Sequence, residues 1–348
     1  MFARRGSPLK LAIVGATGMV GKVLLEVLER RRFPVEKLLP FSSGRRKASV
    51  RFRGRSIPAP GVDIKTLRSA DLTIFVSADS VSKKYARGLA ARGAYVIDDS
   101  AAFRMEKDVP LVIPEVNADA LRPNRRLIAG PNCTVTGLAV AGYPLHKRAR
   151  AKTVRVASYQ AVSGAGRDAL LEFYAQTRKN ARAMNGDLLP KFPKNRAAAF
   201  PEPIGLNILP HVGSFNKRGD TGEEIKVRNE LRKLWRAPNL SVSATTVRVP
   251  VVRGHSLAVW MEMRKQLTPS SAARTLSSAP GVRVWKGARY PTVHKTYESG
   301  PVHVGRIRST GVPRELQMWI VSDNLLKGAA LNSVHIAEFL LKKRWLSR

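Results

Sequence analysis

Cys133 is the only cysteine in 348 residues, and it stands in Gly130-Pro131-Asn132-Cys133-Thr134-Val135-Thr136. The apolar run Leu127-Ile128-Ala129 before it reads as a buried strand, and the residues after it read as a helix. A thiol at a strand-to-helix junction meets unpaired helix N–H groups and the positive end of the helix dipole, both of which favour thiolate. That is the chemistry of a nucleophile. A lone cysteine taken by itself is more often a small buried core residue, and it is the neighbouring residues that shift the reading towards a nucleophile.

A second stretch carries chemistry of another kind. Gly15-x-x-Gly18-x-x-Gly21 follows the strand-like run Leu9–Val14 and opens the helical spacing of Gly18–Arg31. In that context glycines let a pyrophosphate approach backbone N–H groups at a helix start. The same glycines would serve a tight turn with close helix packing and no ligand. Downstream, Phe41-Ser42-Ser43-Gly44-Arg45-Arg46-Lys47 lies where a second strand should end. An acidic residue there would grip a ribose 2′-hydroxyl, whereas Arg and Ser suit a 2′-phosphate, which favours NADP.

The elements that must position these residues follow from hydrophobic pattern. Leu9–Val14, Leu72–Val76, Tyr95–Ile97 and Leu127–Ala129 read as buried strands, alternating with helical spacing in Gly18–Arg31 and Ser82–Arg92. This alternation predicts an α/β chain with a Rossmann-like, doubly wound parallel sheet in its N-terminal domain. From about residue 133 the character changes. Val154–Gln160, Val242–Val249, Leu257–Met263 and Leu316–Val321 read as longer strands with alternating faces, hence an antiparallel or mixed sheet in an α+β domain. Asn180–Gly205, rich in Pro, Asn and Lys, reads as an extended loop, and Gly328–Trp345 as a helix that packs back on the first domain.

Length and a hydrophobic content of 44% permit a large core and two domains. One cysteine excludes an internal disulfide and any multi-cysteine metal site, which suits a reducing compartment. No apolar run reaches the eighteen or so residues of a membrane span, and Leu9–Val14 begins too early for a cleaved leader. A soluble, cytoplasmic protein is expected, without targeting by Met1-Phe2-Ala3-Arg4-Arg5. The formal net charge of +36 attracts nucleic acid, dinucleotide phosphates and acyl phosphates alike. The excess is dispersed, as in Arg30-Arg31-Arg32 and Lys342-Lys343-Arg344, so most of it reads as a solvated cationic surface. No aromatic-bearing RNA module is present, and no specific nucleic-acid ligand is expected.

The segment Gly130–Thr134 resembles the active-site motif of aspartate-β-semialdehyde dehydrogenases, and further segments match that family in the same order along the chain. They are Gly15–Gly21, Ala102-Phe103-Arg104, Tyr159–Gly166, Glu223-Glu224-Ile225-Lys226, Arg248-Val249-Pro250, Gly254-His255-Ser256 and Asp323-Asn324-Leu325. The resemblance implies NADPH-dependent reductive dephosphorylation of L-aspartyl-4-phosphate to L-aspartate 4-semialdehyde, reversible and phosphate-dependent. It divides the chain into an NADP-binding domain at 1–132, completed by a helix at 327–348, and a catalytic and dimerisation domain at 133–326. A homodimer or dimer of dimers is implied.

In that family's chemistry a cysteine thiolate, here Cys133, displaces phosphate to make a thioester, and hydride then gives a thiohemiacetal. His255 matches the acid–base residue that exchanges the proton on its oxygen. Gln160 matches the glutamine that orients the acyl group and helps its oxyanion. Arg248 would hold the α-carboxylate in a two-bond fork, and Glu223 the α-ammonium. Lys226 and Arg104 would face the phosphate, with Asn132 a further donor to it. Cofactor contacts are implied at Gly15, Thr17, Gly18, Met19, Val20, Gly21, Ser43, Arg45, Ser163, Gly164 and Asn324. Without the resemblance, Glu223 and Lys226 read as a surface ion pair, Gln160 as a strand-end polar residue, and His211 as a packing or hydrogen-bonding residue.

Several positions depart from the family's pattern. Arg46 replaces a serine, Ser77-Ala78-Asp79-Ser80 stands where a glycine pair is common, Asp99 and Ala101 replace Asn and Ser, and Gly213 replaces an acidic residue. Asp79 would bring a carboxylate towards the cofactor phosphates unless it turns away, and Asp99 bears on how Arg104 is oriented. Rival readings are an N-acetyl-γ-glutamyl-phosphate reductase, whose Gly-Cys-Tyr-Pro differs from Pro-Asn-Cys-Thr here, a malonyl-coenzyme A reductase, and a non-catalytic relative whose basic surface binds RNA or a partner.

Overall fold

The computed structural model describes residues 9–184, 186, 190–191 and 193–346. The Met1–Arg5 start and part of the 180–205 stretch lie outside them. The chain divides into two compact units, one of the described parts of 1–139, 230–238 and 326–348, the other of 140–229 and 239–325.

In the first unit the apolar runs become strands. Leu9–Val14 (β1), Val35–Phe41 (β2), Leu72–Phe75 (β5), Tyr95–Asp98 (β6) and Leu127–Ala129 (β7) form one sheet in the order β2-β1-β5-β6-β7. Every pairing in it is parallel. Ser49–Phe52 (β3) and Arg55–Pro58 (β4) pair as a separate hairpin. The helices are Met19–Arg30 (α1), Ile64–Leu67 (α2), Asp79–Ala90 (α3) and Pro114–Asn117 (α4). α1 buries Val23, Leu24, Val27 and Leu28, the one-sided spacing of an amphipathic helix. The order reverses direction at β1, so the crevice beyond the carboxyl ends of these strands is where such sheets bind ligands.

Register fixes what lies along that edge. Val14 pairs with Phe41 and with Phe75, Phe75 with Asp98, and Asp98 with Ala129. The segments that follow these residues are Gly15–Gly21, Ser42–Lys47, Val76–Ala78, Asp99–Arg104 and Gly130–Cys133. All the chemistry that the sequence places in the first domain therefore leaves the sheet at one edge.

Cys133–Ala149 (α5) leads from the first unit into the second. There Ala151–Gln160 (β8), Ser241–Arg248 (β9), His255–Met263 (β10), Val282–Val284 (β11), Val302–Ser309 (β12) and Glu315–Ser322 (β13) form a sheet in the order β11-β12-β13-β10-β8-β9. It is mixed, with β8–β9 and β11–β12 parallel and the other pairs antiparallel. Arg167–Met184 (α6), Gly222–Trp235 (α7) and Pro269–Ser277 (α8) accompany it. α6 corrects one expectation, because the stretch read as loop from Asn180 is helical up to Met184. The chain closes with a π-helical turn at Leu326–Ala330 and Leu331–Lys342 (α9), both within the first unit. No helix among the described residues is long and apolar enough to cross a membrane.

Candidate active site

The glycine turn after β1 is shaped by backbone contact. Gly15 has φ of +92°, and a Cβ on it would lie 2.5 Å from the Val76 carbonyl oxygen. A Cβ on Gly21 would meet the carbonyl oxygens of Gly15 and Ala16 at 2.4 and 2.6 Å. Strand and helix thus approach too closely for any side chain at 15 or 21. Gly18 caps α1 with no side-chain hydrogen bond, so the first-turn N–H groups, which include those of Met19, Val20 and Gly21, have no side-chain acceptor. At the end of β2, Ser42 donates to Ala59 O at 2.7 Å and accepts from Gly44 N at 3.2 Å, which fixes the turn that carries exposed Ser43 and Arg45. Asp79 turns to a protein donor, accepting from Ala101 N at 2.9 Å.

Cys133 is the first residue of α5, and Asn132 is its cap. The Asn132 Oδ1 accepts from Thr134 N at 2.8 Å and Val135 N at 3.2 Å, so Asn132 spends its oxygen on the helix and only its amide nitrogen is suited to an anion. The thiol is partly exposed at the positive end of the helix dipole. Gly328, in the π-helical turn, lies against it: a Cβ there would be 2.8 Å from the Cys133 Cβ.

Arg104 is buried and held on three sides. Its Nε donates to Gly130 O at 2.9 Å, Nη1 to Glu230 at 3.1 Å and Nη2 to Asp99 O at 2.7 Å. A guanidinium has five N–H donors, so two remain to meet an anion. Burial works against its charge, but Glu230, together with Cys133 and Asp99, holds its pKa above the ordinary value. The departure at Asp99 leaves Arg104 anchored through the backbone. Its carboxyl accepts from Ser333 at 2.7 Å and packs so closely on Gly130 that a Cβ there would be 2.3 Å from it. Burial pushes this carboxyl up to about 7, against the Ser333 hydroxyl and with Asp98 adding to the rise.

In the second unit, three neighbouring strands bring their polar ends together. Gln160 closes β8 and pairs in register with Arg248, which closes the parallel strand β9. His255 opens the antiparallel strand β10, where Ser256 faces Tyr159. Gln160, Arg248, His255 and Glu223 are all buried. Gln160 accepts from Ser158 at 3.1 Å and donates to Glu223 at 3.0 Å, while Lys226 reaches Glu223 at 3.4 Å. Glu223 is thus no exposed surface pair. Its helix begins with a capping box, Glu224 accepting from Thr221 N at 2.7 Å and Thr221 accepting from Glu224 N at 3.3 Å. Glu224 also accepts from Thr246 N in β9 at 2.9 Å, which ties the helix start to the strand that ends in Arg248.

Arg248 donates to Ala161 O at 2.6 Å, and Ala161 N donates to His255 Nδ1 at 3.0 Å. A Cβ at Gly164 would be 3.1 Å from Arg248 Nη1 and 3.5 Å from His255 Cε1, so glycine there lets both side chains pack under the 163–166 turn. Asn324 bonds Ser163 at 3.1 Å and accepts from Gly254 N at 2.8 Å, joining that turn to the residue before His255. Gly254 has φ of +95°. His211 stacks on Phe215 at 4.2 Å, and Gly213, with φ of +86°, needs the conformational freedom of glycine.

Sequence reasoning missed Glu230, Lys233, Ser333 and Gly328. The Thr221-x-x-Glu224 spacing was available as a cap signal, but nothing local marks the other four.

A glycine-turned parallel sheet followed by a mixed-sheet unit with a buried His–Gln–Arg–Glu cluster defines a two-domain nicotinamide-dependent dehydrogenase. Residues 10–123 match the semialdehyde dehydrogenase NAD binding domain, and residues 143–327 the semialdehyde dehydrogenase dimerisation domain. Aspartate-semialdehyde dehydrogenase of Aquifex aeolicus is 41% identical, covering 96% of this chain and 98% of its own. That of Bacillus subtilis is 38% identical, covering 97% of this chain and 99% of its own. The crystal structure of aspartate semialdehyde dehydrogenase II from Vibrio cholerae superposes with a TM-score of 0.90 at 35% identity, over 97% of this chain and 99% of that one. A second structure of that enzyme is complexed with ASA. The chain belongs to the aspartate-semialdehyde dehydrogenase family.

Proposed function

We propose that the protein catalyses reversible, phosphate-dependent interconversion of L-aspartyl-4-phosphate and L-aspartate 4-semialdehyde with NADP, as a cytoplasmic homodimer or dimer of dimers. The observation that carries this reading is Cys133 at the capped start of α5 with the Arg104 guanidinium braced in the same group of loops. The residues at the sheet edge fit the cofactor. The start of α1 lacks a side-chain cap, and the turn after β2 exposes Ser43 and Arg45 and carries no carboxylate. Gly15, Thr17, Gly18, Met19, Val20 and Gly21 would hold the pyrophosphate, Ser43 and Arg45 the 2′-phosphate, and Ser163, Gly164 and Asn324 would line the nicotinamide. Bound NADPH supplies the hydride.

The chain's own residues do the rest. Cys133 thiolate attacks the acyl carbon, the bond to phosphate breaks, and the thioester forms. Arg104, Lys226 and the Asn132 amide take the phosphate. Arg248 holds the α-carboxylate, and Glu223 the α-ammonium. Gln160 donates to the carbonyl oxygen without taking its proton. His255 serves the oxygen that gains negative charge as hydride arrives.

The test is oxidation of L-aspartate 4-semialdehyde with NADP by the purified protein, with and without inorganic phosphate, beside reduction of malonyl-coenzyme A with NADPH. Phosphate-dependent turnover of the semialdehyde is expected. Turnover of malonyl-coenzyme A alone would replace the substrate, and turnover of neither, with tight binding of one RNA that survives excess bulk RNA, would favour the binding-protein reading.

A further inference from the structure

Glu230 belongs to no motif and is buried in the first unit, on the last turns of α7. One carboxylate oxygen accepts from Arg104 Nη1 at 3.1 Å, and the other accepts from the backbone N–H of Asn132 at 2.7 Å. One turn on, Lys233 Nζ donates to the carbonyl oxygens of Arg104 at 2.7 Å, Glu106 at 2.7 Å and Val109 at 2.9 Å. Trp235 Nε1 reaches Ala139 O in α5 at 3.4 Å. Residues 230–235 thus grip the loop that carries Arg104, the residue before the nucleophile, and the nucleophile's own helix.

A buried ion pair is a poor device for stability, because desolvation of two charges offsets most of their attraction. A carboxylate here does what an apolar residue could not. It accepts from two donors in different loops at once, and it places a negative charge against a buried guanidinium whose field also reaches Cys133. An unbalanced guanidinium would stabilise the thiolate further, and a more stable thiolate is a weaker nucleophile.

We propose that Glu230 is a positioning residue of the reaction, fixing Arg104 and Asn132 relative to Cys133 and moderating the positive charge that the thiol experiences. This rests on the reading of Cys133 as nucleophile and Arg104 as phosphate ligand. The bonds of Arg104 to Gly130 O and Asp99 O would hold the guanidinium near its place without Glu230, so a variant should keep the ligand but lose its aim.

The experiment uses Glu230→Gln in the full chain. Because Cys133 is the only cysteine, its alkylation by iodoacetamide reports one thiol. The apparent thiol pKa should fall by about one unit, with faster alkylation at pH 6 than in the parent. In semialdehyde oxidation, kcat/KM for inorganic phosphate should fall by about tenfold or more. A nucleophile that reacts faster with a small alkylating agent while turnover falls separates positioning from damage to the fold, which would lower both. An unshifted alkylation profile, or an unchanged kcat/KM for phosphate, overturns the proposal. If Glu230→Gln does not fold, the neutral pair Arg104→Gln with Glu230→Gln is compared with Arg104→Gln alone. Equal phosphate KM supports action through Arg104, and a further loss in the double variant overturns it. Parent protein that shows no phosphate-dependent oxidation would sink the functional reading instead, while the alkylation profiles would still report on Glu230.

Discussion

The backbone N–H of Ala161 donates to Nδ1 of His255 at 3.0 Å. A ring nitrogen that accepts carries no proton, so the neutral imidazole holds its hydrogen on Nε2. Burial, and then the charge of Arg248, push its pKa down to about 3, against a smaller opposing effect of Glu223. At neutral pH the ring is therefore an uncharged hydrogen-bond donor. The acid half of the role implied by the family resemblance fits this geometry, as donation from Nε2 to a developing oxyanion. Complete proton transfer needs a proton on Nδ1 and the loss of the Ala161 bond.

His255→Asn should lower kcat by about two to three orders of magnitude with little change in KM, the loss of a donor to the developing oxyanion. His255→Gln, which keeps an amide donor, should lose less than His255→Ala. In the parent, kcat should show no limb between pH 5 and 8 that disappears in the Asn variant. Such a limb would mean that the ring titrates near its ordinary value and works as a full acid–base group.

Arg45 is exposed on a turn fixed by Ser42, and no carboxylate stands within residues 42–47. NADP should be preferred over NAD. Arg45→Ala should reduce kcat/KM for NADP by about tenfold or more, the loss of a charge-assisted bond, and leave NAD nearly unchanged. Specificity constants for both cofactors decide this. Better use of NAD by the parent would overturn it.

Four strands of the first unit, Leu9–Val14, Leu72–Phe75, Tyr95–Asp98 and Leu127–Ala129, were legible because both faces of a parallel sheet are covered and they are nearly continuous apolar runs, whereas Val35–Phe41, Ser49–Phe52 and Arg55–Pro58, which carry exposed polar residues, were not. α6 was not, because the side it buries includes polar residues. Gln176 accepts from Ile204 N at 2.9 Å and Gly205 N at 2.8 Å, and Asn180 donates to Gly205 O at 2.8 Å. These side chains hold a backbone segment, work that reads in sequence as loop composition. Cys133, His255, Arg104 and Arg248 stood out through short motifs. Glu230 and Lys233 were not, since their partners lie about a hundred residues away along the chain and a charged i, i+3 pair on a helix looks like solvated surface.

Asp99 makes stability depend on pH in an unusual direction. Unfolded, its carboxyl loses a proton near 3.8, but burial holds the folded value up to about 7. Between these values the folded state binds more protons than the unfolded state, so this group's contribution to stability falls as pH rises from about 4 to about 7 and is flat above. Asp99→Asn removes the cost of ionising a buried group and can keep the Ser333 bond. It should be more stable than the parent at pH 8 by about 2–4 kcal/mol, and nearly equal to it at pH 4. Urea unfolding at the two pH values measures the difference, and a gap of the same size at both would place its origin elsewhere.

Gly328 packs directly against Cys133, at the helix start that Asn132 caps. A Cβ at 328 would lie 2.8 Å from the Cys133 Cβ and 3.1 Å from its Cα. These are not the far end of a flexible side chain, so relief must come from backbone. The turn around Gly328 is poorly able to give way, because buried Lys327 next to it donates to Glu115 at 2.7 Å, and Glu115 also bonds His335 at 2.9 Å. The start of α5 must move instead. Gly328→Ala should cost about 1–3 kcal/mol of stability by overpacking, and it should lower kcat by roughly 10–100-fold through displacement of the thiol. Alkylation of Cys133 should change with it, whereas NADP affinity, which depends on the edge at Gly15–Gly21 and Ser42–Lys47, should stay within about twofold. Alkylation and turnover both within twofold of the parent would show that the helix start absorbs a methyl group and that glycine at 328 does not shape the nucleophile.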